Sequence, residues 1–431
     1  MPELLLRGGR LVDPVAGVDQ VRDVRIAEGL VASEEQASRV VEEIDCRGLV
    51  VAPGLVDLHT HLREPGFEHK ETVETGSRAA AAGGYTAIAA MANTDPVTDN
   101  AGVVAEVRAA AARAGLCDVF PVGAITKGLG GETLAEMGEM VDAGVRLFSD
   151  DGNAVASARV LRNALTYAKA FPHEIVIADH CEEPTLVLGG QMNEGPVSYA
   201  LGLAGRPAAA EEIAVARDIA LARMTGGRLH VCHVSTARAV ELLRSAKQEG
   251  LRVSAEATPH HLSLTDEELV AYDTNLKMNP PLRAAEDREA LRRGVADGTL
   301  DAIATDHAPH AVEEKEAEFD RSLPGTIGLE TALAVVLTDL VVPGVIDLLR
   351  AIELLSTRPA RILGADEHGG PIDAGRLANL VVFDPDQAWT VEPPFWSKAR
   401  NCAFLGRELQ GRVRYTVLRG ELTVAEGKAT R

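Results

Sequence analysis

Asp57-Leu58-His59-Thr60-His61-Leu62-Arg63-Glu64-Pro65-Gly66 closes an apolar run that begins at Val50. Alternate side chains of a strand share a face, so His59 and His61 point the same way, into the interior of whatever this strand helps to enclose. Pro65-Gly66 then ends the element. Two imidazoles on one strand face make half a metal site; as plain core residues they would be two polar rings in an apolar strand. Seven further runs of strand length follow: 85–91, 118–124, 145–149, 174–178, 228–232, 252–257 and 301–305. The stretches between them, such as 101–114 and 209–224, are Ala-rich, charged and helical in texture. Eight β/α units from Val50 to about Leu363 predict an α/β fold of the TIM type, a (β/α)8 barrel, whose active site lies at the C-terminal ends of the strands.

Both ends of the chain read as β. Leu4-Leu5-Leu6, Val24-Arg25-Ile26 and Leu49-Val50-Val51 at one end match Leu380-Val381-Val382-Phe383 and Tyr415-Thr416-Val417-Leu418 at the other in length and punctuation. Neither end can bury a sheet face alone, so the two are expected to pair into a small β domain made of 1–50 and 366–431, leaving 51–365 as the barrel. A chain of 431 residues fits that division at roughly 150 residues per domain. With 46% apolar and 25% charged residues the composition is that of a globular protein and excludes disorder. The net charge of −21 argues against a nucleic-acid or anionic-membrane partner, so an anionic substrate would need a local cationic site.

No uninterrupted apolar stretch is long enough to span a bilayer; the nearest, 329–349, is broken by Glu330, Asp339, Pro343 and Asp347. The first residues carry an acid where a signal peptide would be basic. Cys46, Cys117, Cys181, Cys232 and Cys402 are odd in number, scattered and without a CxxC, which fits a reducing, cytoplasmic setting rather than a disulfide framework.

The other strand ends supply what a metal needs. The fourth run ends in Asp150-Asp151, the fifth in Asp179-His180, the sixth in His233 and the eighth in Asp306. Imidazoles and carboxylates in this mixture suit zinc or a similar divalent ion. Cys181 and Cys232 each adjoin a histidine of this set, so strand alternation would turn their thiols away from it, into the core.

These segments, together with Ala92-Asn93-Thr94-Asp95-Pro96, Asn279-Pro280-Pro281-Leu282-Arg283 and Thr305-Asp306-His307-Ala308-Pro309-His310, resemble the dihydroorotase family of the amidohydrolase superfamily over essentially the whole chain. The resemblance implies reversible cyclisation of N-carbamoyl-L-aspartate to L-dihydroorotate in pyrimidine synthesis. It makes His59, His61 and Asp306 ligands of one zinc ion and His180 and His233 ligands of a second, with one or two ions per subunit. Many relatives bridge the pair with a carboxylated lysine on the fourth strand, which here reads Arg146-Leu147-Phe148-Ser149-Asp150-Asp151 and has none. The sequence resembles the branch in which an aspartate takes that place; Asp151 is assigned to it, with Asp150 as fallback and Lys127, at the end of the third run, as the remaining rival.

Carbamoyl aspartate carries two carboxylates, one that reacts and one that must be held. Arg63 has the planar fork for bidentate carboxylate binding. By resemblance Asn93 and His310 complete that clamp; Asn279 and the backbone at Pro324-Gly325 are candidate contacts to the ring amides, with plain turn residues as the alternative. Asp306 is expected to take a proton from water and pass it to the leaving nitrogen. His260, His261 and His307 have no assigned role and are expected either to be structural or to support the site from behind the ligands. The rival readings are a hydantoinase or dihydropyrimidinase, an allantoinase, and an inactive homologue serving as a scaffold. A neutral pyrimidine ring offers no carboxylate for Arg63, and every expected ligand position is filled. The resemblance leaves a homodimer and a complex with aspartate transcarbamoylase open as assemblies.

Overall fold

The computed structural model describes residues 3–33 and 42–430; residues 1, 2, 34–41 and 431 of the expected terminal β domain lie outside the described residues. Eight parallel strands form the barrel: β1 (Leu55–Thr60), β2 (Tyr85–Ala90), β3 (Asp118–Pro121), β4 (Leu147–Ser149), β5 (Val176–Asp179), β6 (Arg228–Val231), β7 (Val253–Ala257) and β8 (Ala302–Ile303). β1, β2 and β3 pair in that order, as do β4 through β8. The bridges Gly123↔Phe148 and Thr60↔His307 join the two sets into a closed ring.

The strands read as continuous apolar runs because both faces are covered. Inside, Val56, Leu58, Ala87, Ala89, Val122, Leu147, Val176, Ala178, Cys232 and Ala302 fill the ring, and Ile362 and Leu363 of the helix Arg358–Leu363 pack against them. Outside, Val104, Val107, Leu161, Leu165, Val215, Ile219, Val240 and Leu243 pack the surrounding helices onto the strands. The helix Ala101–Ala114 shows why its sequence stops where it does. Asn100 caps the amides of Gly102 and Val103, and Gly115 leaves the helix at a φ of 61°, a conformation that favours glycine.

Among the described residues the two termini share one sheet of nine strands. Its N-terminal and C-terminal parts meet where Val50–Pro53 runs antiparallel to Leu380–Thr390, with Val51 opposite Val382. This corrects the reading of 50–57 as one barrel strand. Val50–Pro53 belongs to the terminal sheet, and the chain enters the barrel only at Leu55, after Gly54. A Cβ on Gly54 would collide with the Thr86 side chain, so this crossing point requires glycine. A domain boundary at 50/51 therefore cuts a strand of the sheet. Among the described residues no helix is long and apolar enough to cross a membrane. The apolar stretch after Leu329 is instead buried helix, including Ala332–Val336.

Candidate functional site

His59, His61, Asp151, His180, His233 and Asp306 converge at the C-terminal mouth of the ring, and all are buried. Asp57 locks two of the contributing strands together. Its carboxylate accepts from the amides of His59 at 3.1 Å and Thr305 at 3.0 Å and from Thr305 Oγ1 at 2.5 Å. Burial pushes the Asp57 pKa up to about 7 despite those donors. Arg63, His233 and Asp306 lie at φ values of 63°, 31° and 47°. Left-handed backbone at non-glycine residues costs on the order of 1–3 kcal/mol each and collects where function over-determines geometry.

Asp151 stands at the centre. Its Oδ2 is 3.1 Å from His59 Nε2 and 3.4 Å from His61 Nε2, while its Oδ1 is 3.1 Å from His233 Nε2 and 3.6 Å from His180 Nδ1. Asp306 Oδ1 lies 3.2 Å from His61 Nε2 and 3.6 Å from His59 Nε2. His180 Nδ1 and His233 Nε2 are 3.1 Å apart. Donors about 2.0–2.2 Å from a tetrahedral ion sit roughly 3.3–3.6 Å from one another, so this spacing suits two ion positions, one on each side of Asp151. His59 Nε2 is buried and makes no hydrogen bond among the described residues although a carboxylate oxygen is within reach, as expected of a lone pair aimed at a shared third point. The residues present therefore fit a divalent metal pair.

The alternatives at the bridge have other employment. Asp150 Oδ1 accepts from the amides of Ile125 at 2.8 Å and Thr126 at 3.0 Å, and Oδ2 accepts from Thr126 Oγ1, so this side chain fastens the loop after β3. Lys127 is exposed and pairs with Glu136 at 2.6 Å.

The outer nitrogens of three of the four histidines are held by groups that fix their tautomers. His59 Nδ1 lies 2.8 Å from Glu256 Oε1, His61 Nδ1 2.9 Å from Asn93 Oδ1, and His180 Nε2 3.0 Å from Glu182 Oε2. Glu256 also receives His230 Nε2 at 3.1 Å. Burial drives the Glu256 pKa up, but the hydrogen bonds from His230 and His59 outweigh it and hold it at about 2. Glu182 likewise sits at about 2, its burial offset by His180, Arg206 and Arg283. Sequence reasoning missed both glutamates. An acid inside the apolar strand Val253–Ala257 was the available signal for Glu256; Glu182 carried none beyond lying two residues past His180.

Of the expected substrate contacts, Arg63 is anchored by Nε donating to the Pro309 carbonyl at 3.2 Å, and its terminal nitrogens make no hydrogen bond among the described residues. Burial lowers its pKa to about 10, so it stays charged at neutral pH. Asn93 is committed to His61 and, through Nδ2, to the Asp151 carbonyl at 3.4 Å. His310 donates from Nε2 to the Pro324 carbonyl at 2.9 Å. Burial, and then the charges of Arg63, Lys315 and Lys70, push its pKa down to about 3 and keep the imidazole neutral. The Gly325 amide is engaged by the Lys277 carbonyl at 2.8 Å, and the Gly325 carbonyl accepts from Asn401 at 3.0 Å and Lys315 at 3.1 Å. Asn279 Oδ1 accepts from Arg206 and lines a cavity of about 450 Å³ with His180, Glu182 and Asn153.

Cys181 is a core thiol that donates to Asp218 at 3.2 Å. Cys232 is buried too, but its sulfur is not turned away from the cluster: it packs inside the ring, within 4.8 Å of ligand atoms of His59 and Glu256. Alternation fails at this point because β6 ends at Val231 and His233 is no longer extended. His261 spans Thr258 at 2.8 Å and the Pro280 carbonyl at 3.1 Å, and His307 lies between Glu71 at 3.3 Å and the Gly328 amide at 3.2 Å. Both tie neighbouring segments together, while His260 Nε2 is buried without a hydrogen-bond partner among the described residues.

Comparison with known proteins places this geometry. Residues 48–239 match a family model described as dihydro-orotase-like, and residues 189–423 match the amidohydrolase family. A dihydroorotase of Anaeromyxobacter dehalogenans is 51% identical, covering 99% of both chains. Those of Pelotomaculum thermopropionicum and Streptomyces coelicolor are each 49% identical, over 98% and 100% of this chain and 99% and 100% of their own. Among solved structures, the L-hydantoinase from Arthrobacter aurescens superposes with a TM-score of 0.89 at 27% identity, covering 100% of this chain and 98% of its own. The hydantoinase likeness extends to the architecture, whereas half-identity over the full length ties the chain to one branch: it belongs to the dihydroorotase family of amidohydrolases.

Proposed function

We propose that this chain catalyses the reversible cyclisation of N-carbamoyl-L-aspartate to L-dihydroorotate on a pair of zinc ions held about Asp151. The observation that carries the reading is the six-residue cluster centred on Asp151, bordered by an arginine whose terminal nitrogens are uncommitted. When bound, a divalent ion supplies Lewis acidity, polarising a carbonyl and acidifying water.

The chain's own groups do the rest. Arg63 holds the substrate carboxylate that does not react; His310 lines that clamp, and it offers the substrate a donor only if its Nε2–H leaves the Pro324 carbonyl. Asp306 moves the proton: in the hydrolytic direction its carboxylate takes one from water and delivers it to the leaving ring nitrogen, and in the biosynthetic direction it takes one from the ureido nitrogen. Burial pushes the Asp306 pKa up, but the positive charge around it, carried by protonated His59, His61 and His233 when no cation is bound, holds it well below the usual carboxylate range. It therefore starts as a base. Glu256, Asn93 and Glu182 keep His59, His61 and His180 presenting a lone pair inward.

The hydantoinase reading has its support in the architecture, but it leaves the Arg63 guanidinium without a partner. A scaffold without activity would have no use for a filled ligand set. A homodimer, a complex with aspartate transcarbamoylase and a cytoplasmic setting belong to the same proposal. Five free, buried cysteines support the last, and light scattering with and without that enzyme tests the assemblies. The activity is tested by assaying the metal-loaded protein on dihydroorotate, dihydrouracil, hydantoin and allantoin. Strong preference for dihydroorotate is expected; preference for a neutral ring would overturn the assignment.

A further inference from the structure

Arg206 belongs to the short strand Gly205–Arg206, outside the barrel strands, and no part of the reaction scheme above uses it. Its side chain is largely buried and makes three commitments. Nε donates to the Gly190 carbonyl at 2.9 Å, NH1 lies 3.4 Å from Glu182 Oε2, and NH1 also donates to Asn279 Oδ1. Glu182 Oε2 is the same oxygen that meets His180 Nε2 at 3.0 Å. The four side chains thus form a continuous polar chain from the cluster at Asp151 to the cavity wall at Asn279.

The direction of the last link follows from chemistry. A guanidinium has donors and no acceptor, so the Asn279 atom facing Arg206 must be the carbonyl oxygen. That leaves Nδ2, with its two N–H groups, as the unengaged end of this cavity-lining residue; it donates to no protein group among the described residues. An asparagine free to rotate would present an acceptor or a donor with equal ease. This one is locked as a donor.

We propose that Arg206 is a positioning and specificity residue: by holding Asn279 Oδ1 it fixes Nδ2 as a hydrogen-bond donor, so that the site accepts a substrate presenting a carbonyl oxygen there and disfavours one presenting an N–H. The inference rests on the reading of Asn279 as a substrate contact in the proposed reaction. Glu182 balances the charge of Arg206, which keeps the guanidinium from competing for the carboxylate that Arg63 is placed to hold.

The test is a double-mutant cycle on the metal-loaded enzyme with dihydroorotate, reading KM and kcat separately along with metal content and thermal unfolding. Arg206→Ala is expected to raise KM about tenfold, the scale of one lost hydrogen bond, with kcat changed less and metal content unchanged. Asn279→Ala is expected to do the same, and the double variant to be no worse than Asn279→Ala alone. Arg206→Lys keeps a donor and the charge, preserves the packing better than alanine, and should recover part of the loss. A silent Arg206→Ala beside a damaging Asn279→Ala would overturn the inference and leave the substrate contact standing. So would effects that multiply in the double variant, or loss of metal in Arg206→Ala, which would show action through Glu182 and His180 instead. A silent Asn279→Ala would remove the contact itself, and the inference with it.

Discussion

Glu256 gives the sharpest separation between a structural acid and one that serves the metal positions. It is fully buried, and its two oxygens receive His59 Nδ1 at 2.8 Å and His230 Nε2 at 3.1 Å. Substitution by Gln keeps the shape but offers one oxygen and one amide. If the oxygen faces His59, the amide faces His230, which must then accept at Nε2 and donate from Nδ1 to Ser254 Oγ, 2.9 Å away. That exchange is available, so Glu256→Gln keeps an acceptor on His59 and loses only its negative charge. Groups that orient a ligating imidazole are worth about 10–100-fold in metal affinity; the Gln variant should fall at the lower end, about tenfold or ~1.4 kcal/mol. Glu256→Ala removes both acceptors and should reach the upper end. It should also lose about 1–3 kcal/mol of stability for each buried N–H left unpaired. Chelator competition measures the affinity, and thermal unfolding of the metal-free proteins measures the stability. Wild-type affinity in Glu256→Ala would refute the reasoning, as would a Gln variant that binds more weakly than the Ala variant.

Arg63→Lys keeps the charge and removes the fork, so kcat/KM for dihydroorotate should fall by about 1.5–3 kcal/mol with metal content unchanged, as read by steady-state kinetics and metal analysis. Asp150→Ala strands the buried amides of Ile125 and Thr126 and should cost about 2–4 kcal/mol in denaturant unfolding while the metal stays bound. Glu330 has its pKa pushed up to about 7, chiefly by burial, against an ordinary value of 4.5. The folded state therefore holds this proton more tightly, and its contribution to stability is full below about pH 4.5 and lost as the pH rises through 7. Melting curves across that window should fall more steeply with pH for the wild type than for Glu330→Gln.

The groups that the sequence disclosed are those whose spacing has one cheap explanation. His59 and His61 stand two apart on an apolar strand, and His180, His233 and Asp306 each follow a strand end, where a barrel collects its chemistry. Glu256 left only a faint mark, an acid inside an apolar strand, for the opposite reason: its partner His59 is 197 positions away, and nothing local says what a buried acid engages. Arg206 and Glu182 were hidden in the same way, in segments without periodicity. The barrel entry was misplaced because Val50–Pro53 and Leu55–Thr60 are both apolar, and only Gly54, under the Thr86 side chain, separates a terminal-sheet strand from a barrel strand. Cys232 was turned the wrong way because alternation holds only while the backbone is extended, and it is not at His233.

The proposed function has an aspartate, not a modified lysine, joining the two halves of the site, and the metal content of two variants decides between them. Asp151→Ala and Lys127→Ala are to be stripped, reloaded with zinc under identical conditions and compared with the wild type for bound metal per chain. Asp151 touches both halves through separate oxygens, whereas Lys127 is exposed and paired with Glu136. Asp151→Ala should therefore lose metal and turnover together, the His180 and His233 side emptying first, while Lys127→Ala retains both. Retention of metal by Asp151→Ala with its loss in Lys127→Ala would contradict the account.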